Sequence, residues 1–250
     1  MRVFYLNLKA LKQTFFLALC LLSTAGLFAF AILRQPFAFP TTAQNSPLVY
    51  RVKTNEKVVA LSFDISWGNK TPGPVLDILS KEKLACTFFL SGPWVRKYPE
   101  IAKRIAADGH EIASHGYRHI NLSQLSKEAV KEEIARAHES IAAVTGKEPR
   151  LIRTPNGDYD TEVLRAATEL GYTVVQWDVD SLDWKNPGVE TIIRRVLKLV
   201  RPGSIVLLHA SDSCQQTDAA LPGIIDGLRQ QGYKMVTVSD LLRFGPGVVE

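Results

Sequence analysis

The sequence predicts an α/β fold in which a parallel sheet is covered by helices. Three observations predict it. Seven short apolar runs recur along the chain, each strand-like in length and rich in β-branched or aromatic residues. Amphipathic helical patterns lie between them, and strands joined through helices run parallel. The reactive residue types gather where the apolar runs end, as they do at the carboxyl ends of parallel strands. Periodicity alone leaves an open doubly wound sheet and a barrel equally admissible.

The chain begins with a different kind of sequence. Residues 14–33, TFFLALCLLSTAGLFAFAIL, carry no charge, with Arg2, Lys9 and Lys12 before them and Arg34 after. A secretory h-region spans about 7–15 residues, so this run is long enough to cross a bilayer. We read 1–35 as a transmembrane anchor or uncleaved signal. The preceding basic residues favour an inside N-terminus, which places the rest of the chain outside the cytoplasm. Cleavage near Thr42-Ala43 would instead release it. Residues 36–46 are Pro, Thr, Ala, Gln, Asn and Ser for the most part, and 36–50 reads as a linker to a domain over 51–250.

Within that domain the apolar runs are 57–63, 86–90, 111–114, 151–153, 173–177, 204–208 and 233–238. The clearest helix is 127–145, where Val130, Ile134, Ala137, Ile141 and Val144 form one stripe. Glu132, Glu133, Arg136 and Glu139 occupy its other face. Ser126 is its N-cap, and Gly146 closes it. Helical patterns over 162–170, 190–200 and 217–231 end before Gly171, Pro202-Gly203 and Gly232, and a short helix over 240–244 follows the last strand.

Composition excludes some functions. The net charge of +5 comes mostly from residues 1–43, which hold four basic and no acidic residues. The remaining chain has 26 basic against 25 acidic residues, and no basic stripe argues for nucleic acid. Three cysteines, none in a CxxC pair, make neither a disulfide framework nor a thiol active site. Spacing gives no support to a Cys86–Cys214 bridge.

The strand ends carry Asp64, His115, Arg153, the group Asp178, Asp180 and Asp183, and His209. Each residue alone has an ordinary explanation: a helix cap, a surface ion pair, a solvated loop, a satisfied core histidine. His110 and His138 read as structural. The ordinary explanations do not account for all the others falling on one end of the sheet. His115 and His119 are four apart, about one metal-ligand span on a helical turn. Two histidines can hold a divalent ion, an Asp can take a proton from water, and a separate His can protonate a leaving group. The set fits metal-assisted hydrolysis of an amide or ester bearing a small acyl group.

Five segments in this order resemble carbohydrate esterase family 4, the NodB-homology polysaccharide deacetylases. They are Ser62-Phe63-Asp64-Ile65, His115-Gly116-Tyr117-Arg118-His119, Arg153-Thr154-Pro155-Asn156-Gly157, Asp180-Ser181-Leu182-Asp183-Trp184 and Leu207-Leu208-His209. The resemblance covers roughly 58–242 and implies a distorted (β/α)7-type barrel. It implies Asp64 as catalytic base, Arg153 as the residue that orients it, and His209 as catalytic acid with Asp183 as its partner. It implies His115 and His119 as ligands of zinc or another divalent ion, and Trp184 and Leu207 as walls of an acetyl pocket. Asn156 stands where the family often has a Tyr whose main-chain N–H stabilises an oxyanion. Asp180 belongs to the same motif as Asp183.

One position departs. The residue after the base is usually a second Asp, the third metal ligand, and here it is Ile65. Catalytic zinc usually has three protein ligands, so metal binding is expected to be weakened. The segment FDISWG, with the N-terminal span and a single compact domain, is most similar to the sporulation deacetylases of the PdaB type. That implies a peptidoglycan-related substrate. The expected function is N-deacetylation of cell-wall glycan with release of acetate. Its alternatives are a glycan-binding pseudoenzyme and a deacetylase of chitin oligomers or xylan. No protein partner is implied.

Overall fold

The computed structural model describes residues 48–249. The apolar run 14–33 and the stretch 36–46 lie outside the described residues. Among those described, no helix is long and apolar enough to cross a membrane.

The elements follow the predicted alternation. Strands β1 (Leu48–Val49), β2 (Arg51–Val52) and β3 (Val58–Ile65) lead to helix α1 (Pro72–Lys81). Strand β4 (Thr87–Leu90), helices α2 (Gly92–Lys97) and α3 (Pro99–Ala107), strand β5 (Glu111–Ser114) and helix α4 (Lys127–Thr145) come next. Then follow β6 (Leu151–Ile152), α5 (Thr161–Glu169), β7 (Thr173–Val175), β8 (Val179–Asp180) and α6 (Val189–Leu199). The chain finishes with β9 (Ile205–His209), α7 (Thr217–Gln230), β10 (Lys234–Val236), α8 (Val238–Leu241) and β11 (Gly247–Val248). The main sheet has the order β1-β7-β6-β5-β4-β3-β9-β8, with β10 also on β3. Its pairings are all parallel. β11 pairs antiparallel with β2 beneath the start of β9, where Arg51 bridges Ser204.

β3 is the centre, and all eight of its residues are buried. Side chains alternate across a strand, so it feeds two cores. Val59, Leu61, Phe63 and Ile65 face the helices and pack with Val75, Leu76, Leu90 and Trp94. Val58 and Ala60 face the other way and join Phe89, Ala113, Val175 and Ile205. Val175 of β7 and Ile205 of β9 lie on opposite flanks of the sheet, yet they share this inner cluster. The sheet is therefore curled, and Ser62 and Asp64 point into the curl.

The curled, half-closed sheet agrees with the distorted barrel that the resemblance implies. Three details differ: among the described residues the sheet has nine strands rather than seven, and it is open between β8 and β1. The added strand β8 starts beside Asp178, whose carboxylate accepts from Ile205 N (2.9 Å), Ser204 Oγ (2.9 Å) and Arg201 Nε (3.1 Å). This breaks the run 173–177 after Val175 and carries the chain across to β9 as β8. Next, Leu48–Val49 pairs with β7 and is buried, so the domain reaches back into the last residues of the stretch 36–50. Finally, Glu133 is buried on α4 rather than exposed, because its carboxylate takes Arg118 N (2.8 Å) and Arg118 Nε (2.6 Å). α4 otherwise forms as its sequence dictates. Ser126 Oγ accepts from Ala129 N, and Gly146 at φ 68° ends the helix in the left-handed region. Cys86 and Cys214 are free and buried.

Candidate active site

The carboxyl ends of β3, β5, β6 and β9 converge, and the pairing registers place Asp64 beside both Phe89 and His209. Asp64 Oδ1 accepts from Arg153 Nη1 at 2.8 Å. Arg153 is fully buried. It also donates to Ser62 Oγ (2.8 Å) and to the carbonyls of Val175 (3.3 Å) and Gln176 (3.1 Å), while its guanidinium lies 4.1 Å over the Phe89 ring. A buried cation held by four acceptors and an aromatic face cannot swing away, so its partner is fixed too. Burial alone would raise the Asp64 carboxyl. The charge and hydrogen bond of Arg153, with the charge of His209, outweigh it and hold Asp64 below its ordinary range.

The histidine pair sits next to this carboxylate. His115 Nδ1 is 2.8 Å from the Arg153 carbonyl. A carbonyl only accepts, so Nδ1 carries the proton and Nε2 keeps its lone pair, 3.7 Å from Asp64 Oδ2. Burial pushes His115 down to about 4, so it is neutral at ordinary pH, as a metal ligand must be. Burial lowers His119 as well, and its ring stands 5.2 Å from that of His115. Ile65, in contrast, is fully buried in the helix-facing core, on the face of β3 away from Asp64. Two imidazoles fit a divalent ion, and position 65 adds nothing to them.

On the other side, β9 and the turn after β8 build a carboxylate–imidazole pair. Asp180 Oδ1 accepts from Leu182 N and Ser181 Oγ from Asp183 N. Leu182 adopts a left-handed conformation, φ 58°, uncommon for a branched residue. This tight turn delivers Asp183, fully buried, under His209. Asp183 Oδ1 lies 2.7 Å from His209 Nδ1, and Oδ2 accepts from His209 N (2.7 Å) and Thr217 Oγ1 (2.7 Å). Burial opposes charging His209, but the Asp183 bond and charge, with that of Asp64, raise it above its ordinary value.

Ligand-type atoms of Asp183, His209 and Cys214 also lie within 4.8 Å of one another. Both carboxylate oxygens and His209 Nδ1 are already engaged there, and burial pushes the Cys214 thiol up to about 12. That group is a hydrogen-bonded acid with a protonated thiol beside it, and we do not read it as the metal centre.

A cavity of about 500 Å³ opens between the two sides. Asp64, His115, His119, Asn156, Asp180, Trp184, Leu207 and His209 all line it, so all ten site residues expected from the sequence meet here or bond directly to residues that do, Arg153 and Asp183 through Asp64 and His209. Asn156 is left-handed (φ 60°), with Gly157 following in the same region, and its side chain donates to Asn121 Oδ1. Sequence reasoning missed Ser62 and Thr217, which complete the shells of Arg153 and Asp183. It also missed Trp67, Trp177, Ser211, Ser213 and Cys214 as lining residues.

Known proteins share the sequence family and the fold. A family model described as polysaccharide deacetylase matches residues 51–175. A Bacillus cereus peptidoglycan-N-acetylglucosamine deacetylase is 38% identical over 79% of this chain and 93% of its own length. An uncharacterised Bacillus subtilis protein, YlxY, is 33% identical over 78% of this chain, which spans 60% of that longer protein. The crystal structure of a Bacillus anthracis pseudoenzyme of carbohydrate esterase family 4 superposes with a TM-score of 0.76 at 34% identity, covering 80% of this chain and 71% of that one.

Proposed function

We propose that this chain, which belongs to the polysaccharide deacetylase family, is an N-deacetylase of cell-wall peptidoglycan that releases acetate. The observation that carries the reading is the opposed pair of groups across one cavity: a carboxylate held ionised by Arg153 and an imidazole held protonated by Asp183. Two titratable groups driven in opposite directions are what base and acid catalysis of one bond cleavage requires.

In this reading the acetamide carbonyl enters the cavity against Leu207 and Trp184. Asp64 takes a proton from the attacking water as its oxygen adds to the acetyl carbon. The C–N bond then breaks, and protonated His209 gives its proton to the departing amine nitrogen. Asp183 stabilises the imidazolium before transfer and fixes its ring. The Asn156 main-chain N–H, in its left-handed turn, would face the developing oxyanion. A divalent ion, zinc in our reading, would be held by His115 Nε2 and His119 and would supply Lewis-acid polarisation. Purified protein assayed on peptidoglycan fragments is expected to release acetate, and Asp64→Asn to abolish release without loss of fold. Equilibrium dialysis is expected to show one divalent ion, lost in His119→Ala. Metal-free protein with no acetate release on any N-acetylated glycan, chitin oligomers and acetylated xylan included, would overturn the reading.

A second reading has its own observation. Ile65 turns into the helix-facing core, and the Bacillus anthracis neighbour is a pseudoenzyme. Glycan binding with no turnover at saturating zinc would favour it. We also propose that the chain acts in sporulation, tethered outside the cytoplasm through residues 14–33. Protease accessibility of the domain on intact cells tests the topology, and release into the medium would show cleavage near Ala43.

A further inference from the structure

We propose that Trp67 is a stacking platform for a neighbouring sugar of the glycan chain, so that the site recognises an oligosaccharide rather than a single N-acetylated sugar. The proposal rests on the deacetylase reading of the cavity and adds a specificity residue to it.

Trp67 lies at the cavity edge and is 47% exposed, unusual for so large an apolar ring on a domain with a full core. Its exposure is built in. The indole Nε1 donates to Ser213 Oγ at 3.0 Å, which anchors one edge of the ring. The ring meets His119 at 5.0 Å with an interplanar angle of 74°, and about half of its surface stays exposed. The loop that carries it is clamped to the loop after β9. Asp212 accepts from Asn69 N (3.1 Å), Lys70 N (2.7 Å) and Thr71 N (3.0 Å), and its own N donates to the Trp67 carbonyl. Trp94 Nε1 donates to the Gly68 carbonyl at 2.7 Å.

Trp184 is equally exposed at the same cavity, but the Lys185 ammonium lies 4.8 Å over its ring. No cation covers Trp67 among the described residues. A rigid indole face at the rim of a carbohydrate cavity presents its π-electrons to the axial C–H edges of a pyranose, with no side-chain ordering left to complete. A sugar whose acetamido group reaches Asp64 leaves its chain neighbours at the rim. Trp67, beside His119, is the ring placed to meet one.

The test uses the full-length protein and two probes, the tetrasaccharide of N-acetylglucosamine and the monosaccharide. Calorimetry on an Asp64→Asn background, where turnover cannot blur binding, is compared with Trp67→Ala and Trp67→Tyr on the same background. The expected result is a roughly tenfold weaker tetrasaccharide affinity in Trp67→Ala, an unchanged monosaccharide affinity, and recovery in Trp67→Tyr. Equal tetrasaccharide affinity with and without the indole would overturn the platform. So would parallel loss for both probes, which marks a collapsed loop, or no tetrasaccharide binding by the parent. Acetate release by the wild type is followed separately. Release with no Trp67 effect leaves the deacetylase reading standing without the platform. The binding contrast without release supports the platform and removes the activity.

Discussion

His209 Nδ1 and Asp183 Oδ1 lie 2.7 Å apart, while the other oxygen of the same carboxylate holds the His209 main-chain N–H. One buried acid thus fixes both the ring and the backbone of the residue above it. Replacing it with Asn removes the charge and keeps the size. Burial is then opposed only by the charge of Asp64, and the pKa of His209 falls. The fraction able to donate a proton at neutral pH falls with it. Asp183→Asn is expected to lower kcat by about a hundredfold or more and to move the alkaline limb of the pH profile toward acid. Acetate release measured across pH checks both.

Arg153→Met leaves Asp64 buried without its cation. Breaking a buried pair from one side costs about 3–5 kcal/mol, read as a lower urea midpoint. The sign with pH follows from the direction of the shift. The depressed Asp64 carboxyl contributes stability above its ordinary value of 3.8, and this is lost as pH falls through its lower folded value. In Arg153→Met that acid-side loss should disappear, because the carboxyl no longer titrates low.

Ile65→Asp puts a carboxylate where a fully buried side chain packs with the helices. Without metal, stability is expected to fall by about 3 kcal/mol. Zinc added in excess should recover much of it, because an ion held by His115 and His119 gives the new carboxylate a partner and draws the end of β3 toward the mouth. Melting temperatures with and without zinc, beside dialysis affinities, check this; a loss of stability indifferent to zinc would show that residue 65 stays in the outer core.

Gly68→Ala tests the loop under Trp67. Gly68 has φ +81°, and an added Cβ would stand 2.0 Å from Asp212 Cγ. The substitution is expected to break the Asp212 clamp, lower the melting temperature by several degrees, about 1–3 kcal/mol in stability, and weaken oligosaccharide binding.

Asp64, His115, Arg153 and His209 are legible in the sequence because each ends an apolar run, and parallel strands bring such ends together. The closing of the sheet is not. β1, β8 and β11 have two residues each, too few to carry a period, and the break after Val175 is decided by what Asp178 reaches on β9. α1 and α3 open on prolines, which obscure a helical pattern while starting a helix well. Glu133 shares the polar face by spacing and is buried by a partner from another loop. Ser62 and Thr217 are small polar residues whose roles exist only once Arg153 and Asp183 are in place. Trp67 stands in a segment the sequence singles out, but only the fold shows that its ring is both fixed and uncovered.

The clamp made by Asp212 has a consequence for how the site opens. The loop that follows Asp64 and the loop that follows His209 are joined by three main-chain hydrogen bonds to one carboxylate. Neither can loosen without the other, so the two loops form one cooperative unit in the sense of local unfolding. The amide hydrogens of Asn69, Lys70 and Thr71 should exchange at a common rate set by that unit. A molecule fluctuating in this region would then lose the order of both loops at once and regain it at once, with little population in which only one of them is in place.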